Sequence, residues 1–164
     1  MDVDFREMMA AFPTGVSVVT ARHGTAPRGM TCSALCSLSV NPSTLLVCLR
    51  TGSPTLGAVL GSGGFAVNLL HGEAEWVAAL FASGAPTRFE RVPWRPTGHT
   101  GSPALFEASH AVADCTVERV HPSGDHAIVV GLVRAVDRFR AGSALLYGFR
   151  QYGQWSEAAP ATTG

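Results

Sequence analysis

The feature that most narrows the choice of fold is a series of short apolar runs rich in β-branched residues, set off by turn-forming Gly, Pro, Asn and Asp. VSVVTA (16–21), LLVCLR (45–50), GGFAVNLL (63–70), HAVADCTVERV (110–120), HAIVVGLVRAV (126–136) and ALLYGF (144–149) all read as strands. LLVCLR is apolar on both faces, as a central strand would be. HPSGD, between the two longest runs, has turn chemistry, and HGTAPRG and NPST read as turns as well. The stretch RGMTCSA (28–34) alternates, with Met30, Cys32 and Ala34 on one side and Thr31, Ser33 and Leu35 on the other. About six short strands at regular spacing, with few helices, predict a mainly β chain folded as a small barrel.

Three helices are expected around it. Phe5, Met8, Met9 and Phe12 repeat at i, i+3, i+4, i+7, which makes DFREMMAAF amphipathic until Pro13 stops it. SPTLGAVL has Ser53 as an N-cap and Pro54 at the first helical position. GEAEWVAALFAS places Trp76, Val77, Leu80 and Phe81 on one face, with acids in the first turn. The Pro- and Gly-rich stretch 84–105 reads as a long loop, the kind that is functional or packed against something. Its aromatics Phe89 and Trp94 point the same way.

Composition removes several function classes. The 12 basic and 12 acidic residues cancel, so no basic field exists to hold nucleic acid. No run approaches the ~18 apolar residues of a membrane span, and the first ten residues lack a signal peptide's basic start and apolar core. A cytoplasmic location is expected. Charged residues make up only 15% of the chain, so a partner or ligand is expected to cover part of its surface. The four cysteines form no CxxC pair and the histidines have no ligand spacing, which argues against zinc. Cys36, Cys48 and Cys115 read as small core residues.

The chemistry-bearing candidates are individually ambiguous. GSGGFA (61–66) matches a dinucleotide fingerprint on paper, but it follows a helix and opens a strand, the reverse of what that fingerprint needs. No serine has a G-x-S-x-G context, and no His or acid near Cys32 supports it as a nucleophile. His126 starts a strand after a turn; it is either a turn histidine or a donor at the barrel mouth. Arg50 and Arg88 are solvated arginines or phosphate partners. Ser53 and Thr55 either cap a helix or share its free N–H groups with an anion. Tyr147, Phe149, Tyr152 and Trp155 form an aromatic cluster of the kind found in cores and dimer interfaces.

Taken in order, FREMMAAFPTGVSVVTA, GMTCSALCSLSVNP, FAVNLL, FA before RF, GDHAIVVG and LLYGFRQY resemble the short-chain flavin reductases, the reductase components of two-component flavin-dependent monooxygenases. The likeness runs from Phe5 to Tyr152. It implies an FMN-binding split β-barrel, Greek-key-like with a few peripheral helices, filling residues 1–155 ahead of a disordered tail, 156–164. It implies a homodimer with flavin at the interface and NAD(P)H-dependent reduction of FMN or FAD, with NADH or NADPH as hydride donor. Reduced flavin would reach a partner monooxygenase by diffusion, with neither nucleic acid nor membrane involved. Carried over residue by residue, Met30, Thr31, Cys32, Ser33, Ala34, Ser37, Leu38 and Ser39 contact the isoalloxazine and ribityl parts. Arg50, Ser53 and Thr55 approach the phosphate, and Arg88 and Phe89 the phosphate or adenylate. His126 lies near flavin and nicotinamide as the catalytic residue, and Tyr147 and Tyr152 stand close to the cofactor. Cys32 departs from the family, which often has a second serine there. The alternatives are a flavin storage or sensor protein, a pyridoxamine-phosphate-oxidase-like flavoprotein, and a purely structural dimeric barrel.

Overall fold

The computed structural model describes residues 4–139 and 142–156. It begins with α1 (Phe5–Ala10) and the short β1 (Thr14–Gly15), followed by β2 (Ser17–His23), β3 (Ala26–Cys32), β4 (Leu35–Val40) and β5 (Ser43–Arg50). Helix α2 (Pro54–Ser62), β6 (Gly64–Leu70), α3 (Glu75–Ser83) and α4 (Arg88–Arg91) come next. The chain continues through β7 (Arg95–Pro96), β8 (Pro103–Ala104), β9 (Ser109–Ser123), β10 (His126–Arg138), β11 (Ala144–Gly148) and β12 (Gln151–Trp155).

Seven antiparallel strands form the main sheet in the order β3-β2-β6-β9-β10-β5-β4. The two edge strands, β3 and β4, are consecutive in sequence and joined only by Ser33 and Ala34. The sheet therefore curls until its edges meet at that corner, where Cys48 N–H donates to Ala34 O at 3.0 Å. Away from the corner β3 keeps an unpaired edge, so the barrel is split, as the resemblance implies. Twist is what lets seven strands curl this far.

Alternation along β2 sets up two cores. Val19 and Ala21 point into the barrel, with Val47, Leu49, Phe65, Val67 and Val129, and α2 adds Leu56 and Val59. Val16 and Val18 point outward, where Val77, Ala78, Leu80 and Phe81 of α3 cover them with Leu105 and Leu145. Val18 and Val19 are both fully buried, each adding about 1.5–3 kcal/mol to folding. Gly131 admits Phe65 to the barrel centre, because a Cβ there would overlap the Phe65 ring. Ser53 caps α2 by accepting from Leu56 N–H at 3.1 Å, with Pro54 in the first turn and Gly63 in the left-handed region at its end.

Several local expectations are corrected. Helix α1 ends at Ala10 and buries none of its residues; Phe5, Met8 and Phe12 are each at least 61% exposed. Six residues are too few for a helix to hold itself without packing, so the apolar period here marks an exposed face rather than a buried one. Trp76 is half exposed, and Ala78 takes its place on the buried face of α3. Cys36 is exposed on the edge strand β4, whereas Cys115 is buried. Strand β3 begins at Ala26, inside the segment that reads as a turn, which contracts to Gly24–Thr25. Between β9 and β10 the turn is only Gly124–Asp125, and the strands run for 15 and 13 residues. The long loop contains α4 and the β7–β8 pair. Strand β12 is unforeseen because RQYGQW is polar; it pairs with β11, Tyr147 opposite Tyr152. The expected disordered tail lies outside the described residues beyond Ser156.

Candidate functional site

The free edge of β3 forms the floor of a groove between the start of α2 and the end of α3. One end is a cavity of about 390 Å³ bordered by Met30, Arg50, Ser53, Thr55, Phe81 and Arg88. The other, about 360 Å³, is bordered by Thr31, Ser33, Tyr147, Arg150 and Tyr152. Ala82 lines both, so the two are neighbouring parts of one groove. From Gly29 to Ser33 the strand advances about 13 Å, at roughly 3.3 Å per residue. Among the described residues no carboxylate lines either end, while three arginines do.

The α2 end is built by local chemistry. The helix start presents backbone N–H groups and its positive dipole end, Ser53 is fixed as the cap, and Thr55 is buried beside it. Arg50 ends β5 and stands across the ladder from His126. His126 Nδ1 lies 2.8 Å from Asp125 Oδ1, and Thr51 N–H donates to Asp125 O at 2.9 Å, which ties the β9–β10 turn to the loop before α2. The hydrogen bond and charge of His126, with Arg50 further off, hold the Asp125 carboxyl below its ordinary range. Arg88 lies over the Phe81 ring at 5.9 Å and donates from Nη1 to Ala85 O at 3.0 Å; its Nε is buried without a partner.

The second end depends on contacts remote in sequence. Thr31 Oγ1 donates to Ala78 O at 2.6 Å, fastening β3 to α3 where Thr31 borders the cavity. Tyr147 and Tyr152 pack with ring centroids 5.0 Å apart. Burial, with Tyr147 and Glu75 nearby, raises the Tyr152 pKa. The β11–β12 turn is Phe149–Arg150, with φ 50° and 60°, the only non-glycine residues in the left-handed region among those described. Both central positions of a type I′ turn favour Asn and Gly, so this turn is strained. Phe149 N–H donates to Ala10 O, and a Cβ on Gly148 would stand 2.9 Å from Pro13, so the segment after α1 braces the turn.

The remaining candidates stand apart from the two cavities. Cys32 is buried in the barrel core, its thiol directed at Ala34 O and Cys48 O at 3.6 Å each, and burial pushes its pKa up to about 11. Its side chain is structural, and only its backbone, like that of Ala34, reaches the β3 edge. Ser37 and Ser39 line a third cavity, about 400 Å³ and mostly apolar, with Leu35, Leu45, Val67 and Val136. Leu38 is about half exposed beside it. Phe89 lies edge-on to Phe81 at 5.1 Å and to Trp94 at 6.1 Å, supporting the wall from behind. Sequence reasoning missed Arg150, although it lies between two tyrosines already singled out. The signal was the two-residue span between strands that pair at Gly148 and Gln151.

Comparison with known proteins gives a consistent result. The family model described as flavin reductase like domain matches residues 9–156. A flavin reductase (NADPH) of Lentzea aerocolonigenes is 46% identical over 155 residues, covering 93% of this chain and 89% of that one. The reductase subunit HsaB of a flavin-dependent monooxygenase of Mycobacterium tuberculosis is 38% identical over 137 residues, 84% of this chain and 72% of that one. The structure of the Streptomyces globisporus NADH:FAD oxidoreductase SgcE6, in complex with NAD and FAD fragments, superposes with a TM-score of 0.87 at 31% identity, covering 98% of this chain and 94% of that one.

Proposed function

The chain belongs to the flavin reductase like family, and on that premise we propose that the groove along β3 is where flavin and reduced nicotinamide meet. The activity is NAD(P)H-dependent reduction of flavin. The observation that carries the placement is the continuity of the groove. A cationic end with a capped helix start adjoins an aromatic, hydroxyl-lined end along a single strand edge. The groove fits such a ligand in two further ways. The orphaned Nε of Arg88 waits for an acceptor, and Gly29 lets Phe81 and Phe89 close on β3 as a wall of the groove, where a Cβ would come within 3.0 Å of Phe81 and 3.1 Å of Phe89.

Flavin held there would supply the redox chemistry, accepting a hydride from the reduced nicotinamide. The protein's part is placement. Ser53, Thr55 and the first N–H groups of α2 hold the phosphate, and Arg50 and Arg88 neutralise it. Met30, Thr31 and Ser33, with the backbone of Cys32 and Ala34, support the ribityl chain and ring. Tyr147 and Tyr152 form the wall at that end, and Phe89 sets the position of Arg88. His126, on the rim beside Arg50, orients the pyridine nucleotide; hydride transfer to N5 requires no proton from it. Reactants held at about 3–3.5 Å need no nucleophile and no acid–base pair.

Ser37, Leu38 and Ser39 reach the flavin in a homodimer, where a second copy closes the third cavity. Val40 at 86% exposure, Val136 at 56% and the bare face of α1 support such an interface. Reduced flavin leaves for a separate monooxygenase component, the arrangement named for the mycobacterial relative. The test is to mix the protein with NADH or NADPH and excess free FMN or FAD and follow nicotinamide absorbance. Many turnovers of free flavin are expected. A yellow protein that does not turn over would overturn this reading in favour of storage or a tight flavoenzyme, and a colourless inactive one in favour of a structural barrel.

A further inference from the structure

One cation of the groove has no part in the placement described above. Arg150 borders the tyrosine end together with Thr31, Ser33, Tyr147 and Tyr152, and it is the one cation among the described residues that does so. Arg50 and Arg88 border the other end. Glu75 acts on the Tyr152 phenol from nearby, yet among the described residues no carboxylate pairs with Arg150. Its backbone is held against its own preference. Arg150 has φ 60° and Phe149 φ 50°, values suited to Asn or Gly, in a turn of only two residues between the paired Gly148 and Gln151. The segment after α1 braces that turn through Ala10 O and Pro13. Strain of this kind persists where the surroundings impose it, and it gathers at functional positions.

The charge balance of hydride transfer gives this cation a use. A hydride carries two electrons and one proton. Leaving a neutral dihydronicotinamide, it creates a pyridinium cation. Joining a neutral oxidised flavin, it creates an anion whose charge is shared over the pyrimidine side of the ring, with no further proton required. The tyrosine and hydroxyl side chains of this end are neutral at pH 7. A fixed positive charge acts weakly on the neutral ring and strongly on the anion, so it assists the step where charge develops. Resting on the flavin reductase reading above, we propose that Arg150 favours hydride transfer by holding the reduced, anionic flavin ring more tightly than the oxidised, neutral one. Arg150 is exposed, so water and salt limit its pull, which suits a product that must leave.

The test is anaerobic titration of the full-length wild type, Arg150→Gln, Arg150→Lys and Arg150→Gly with oxidised and reduced riboflavin and FMN, followed by quenching of tryptophan fluorescence. Gln removes the charge, Lys keeps it, and Gly removes both the side chain and the strain, so a loss in that variant does not come from unfolding. In Arg150→Gln and Arg150→Gly, reduced riboflavin and reduced FMN are each expected to bind about fivefold more weakly, the upper range for an exposed charge pair. Both oxidised flavins should stay within about twofold of wild type, and Arg150→Lys should recover most of the loss. The same loss for reduced riboflavin as for reduced FMN assigns the effect to the ring. Weakening of FMN alone, alike in both redox states, would make Arg150 a phosphate contact and overturn the proposal. Equal weakening of all four ligands, or unchanged constants throughout, also overturns it and leaves the reductase reading intact. A wild type that binds no flavin in either state overturns both.

Discussion

The two ends of the groove are made in opposite ways. At the α2 end each part obeys a local rule: a serine cap, a proline in the first turn, a threonine tucked beside them and an arginine closing the preceding strand. At the tyrosine end the parts come from residues 31–33, 82 and 147–152, held by one hydroxyl-to-carbonyl bond between β3 and α3 and by a turn whose two central residues resist their own backbone. An end built from short-range preferences is formed by its own segment. An end built from long-range contacts exists only when the barrel is closed around it. Backbone strain persists only where surrounding structure imposes it, and it gathers at functional sites.

Variants at each end sharpen or break this contrast. The largest effect is expected from Arg88→Ala. Removing a part-buried guanidinium from the phosphate end should weaken FMN and FAD alike by about tenfold, read by fluorescence titration; undiminished binding would detach this end from the phosphate. Gly29→Ala adds a Cβ within 3.0–3.1 Å of Phe81, Phe89 and Thr20. It should cost about 1–3 kcal/mol in denaturant unfolding, with a lower flavin affinity as the Arg88 segment moves out. Ser53→Ala should cost about 1 kcal/mol of stability through the lost cap, and it should weaken FMN more than riboflavin. If it weakened both equally, the α2 start would not be the phosphate site.

At the tyrosine end the expected sign reverses. Phe149→Asn places a residue that tolerates the left-handed region in the strained turn. It should raise stability by up to about 1 kcal/mol, or a thermal midpoint higher by roughly 2–4 °C. A loss of stability there would mean that the Phe149 ring packs against a partner copy and outweighs its own strain. The smallest effect is expected from His126→Ala, which removes one exposed hydrogen-bonding side chain. KM for NAD(P)H should rise by about twofold, the low end for a single exposed hydrogen bond, with flavin affinity nearly unchanged. Equal losses for both ligands would remove its proposed role with the nicotinamide.

What was legible in the sequence follows the same division. The cap and first turn of α2, the β-branched run of β2 and the apolar run of β5 are short-range signals, and each became the element it announced. The helical period of residues 5–12 was also real, yet it produced an exposed one-and-a-half-turn helix, because periodicity says which face is apolar and not what covers it. Cys36 and Trp76 were misplaced for the same reason. β12 escaped because an edge strand needs backbone pairing more than apolar side chains, and RQYGQW has little of the latter.

The amino-acid sequence by itself determined that this chain is a small, mainly β barrel with a capped, anion-ready helix start, since capping, alternation and turn preference act over a few residues. Only the tertiary structure decided that Thr31 and Ser33 face the same cavity as Tyr147, Arg150 and Tyr152, and that Arg50 and Arg88 border one cavity with the start of α2. Such juxtapositions depend on how far the sheet curls before its edges meet. That is a property of all seven strands together, and no local stretch of sequence encodes it.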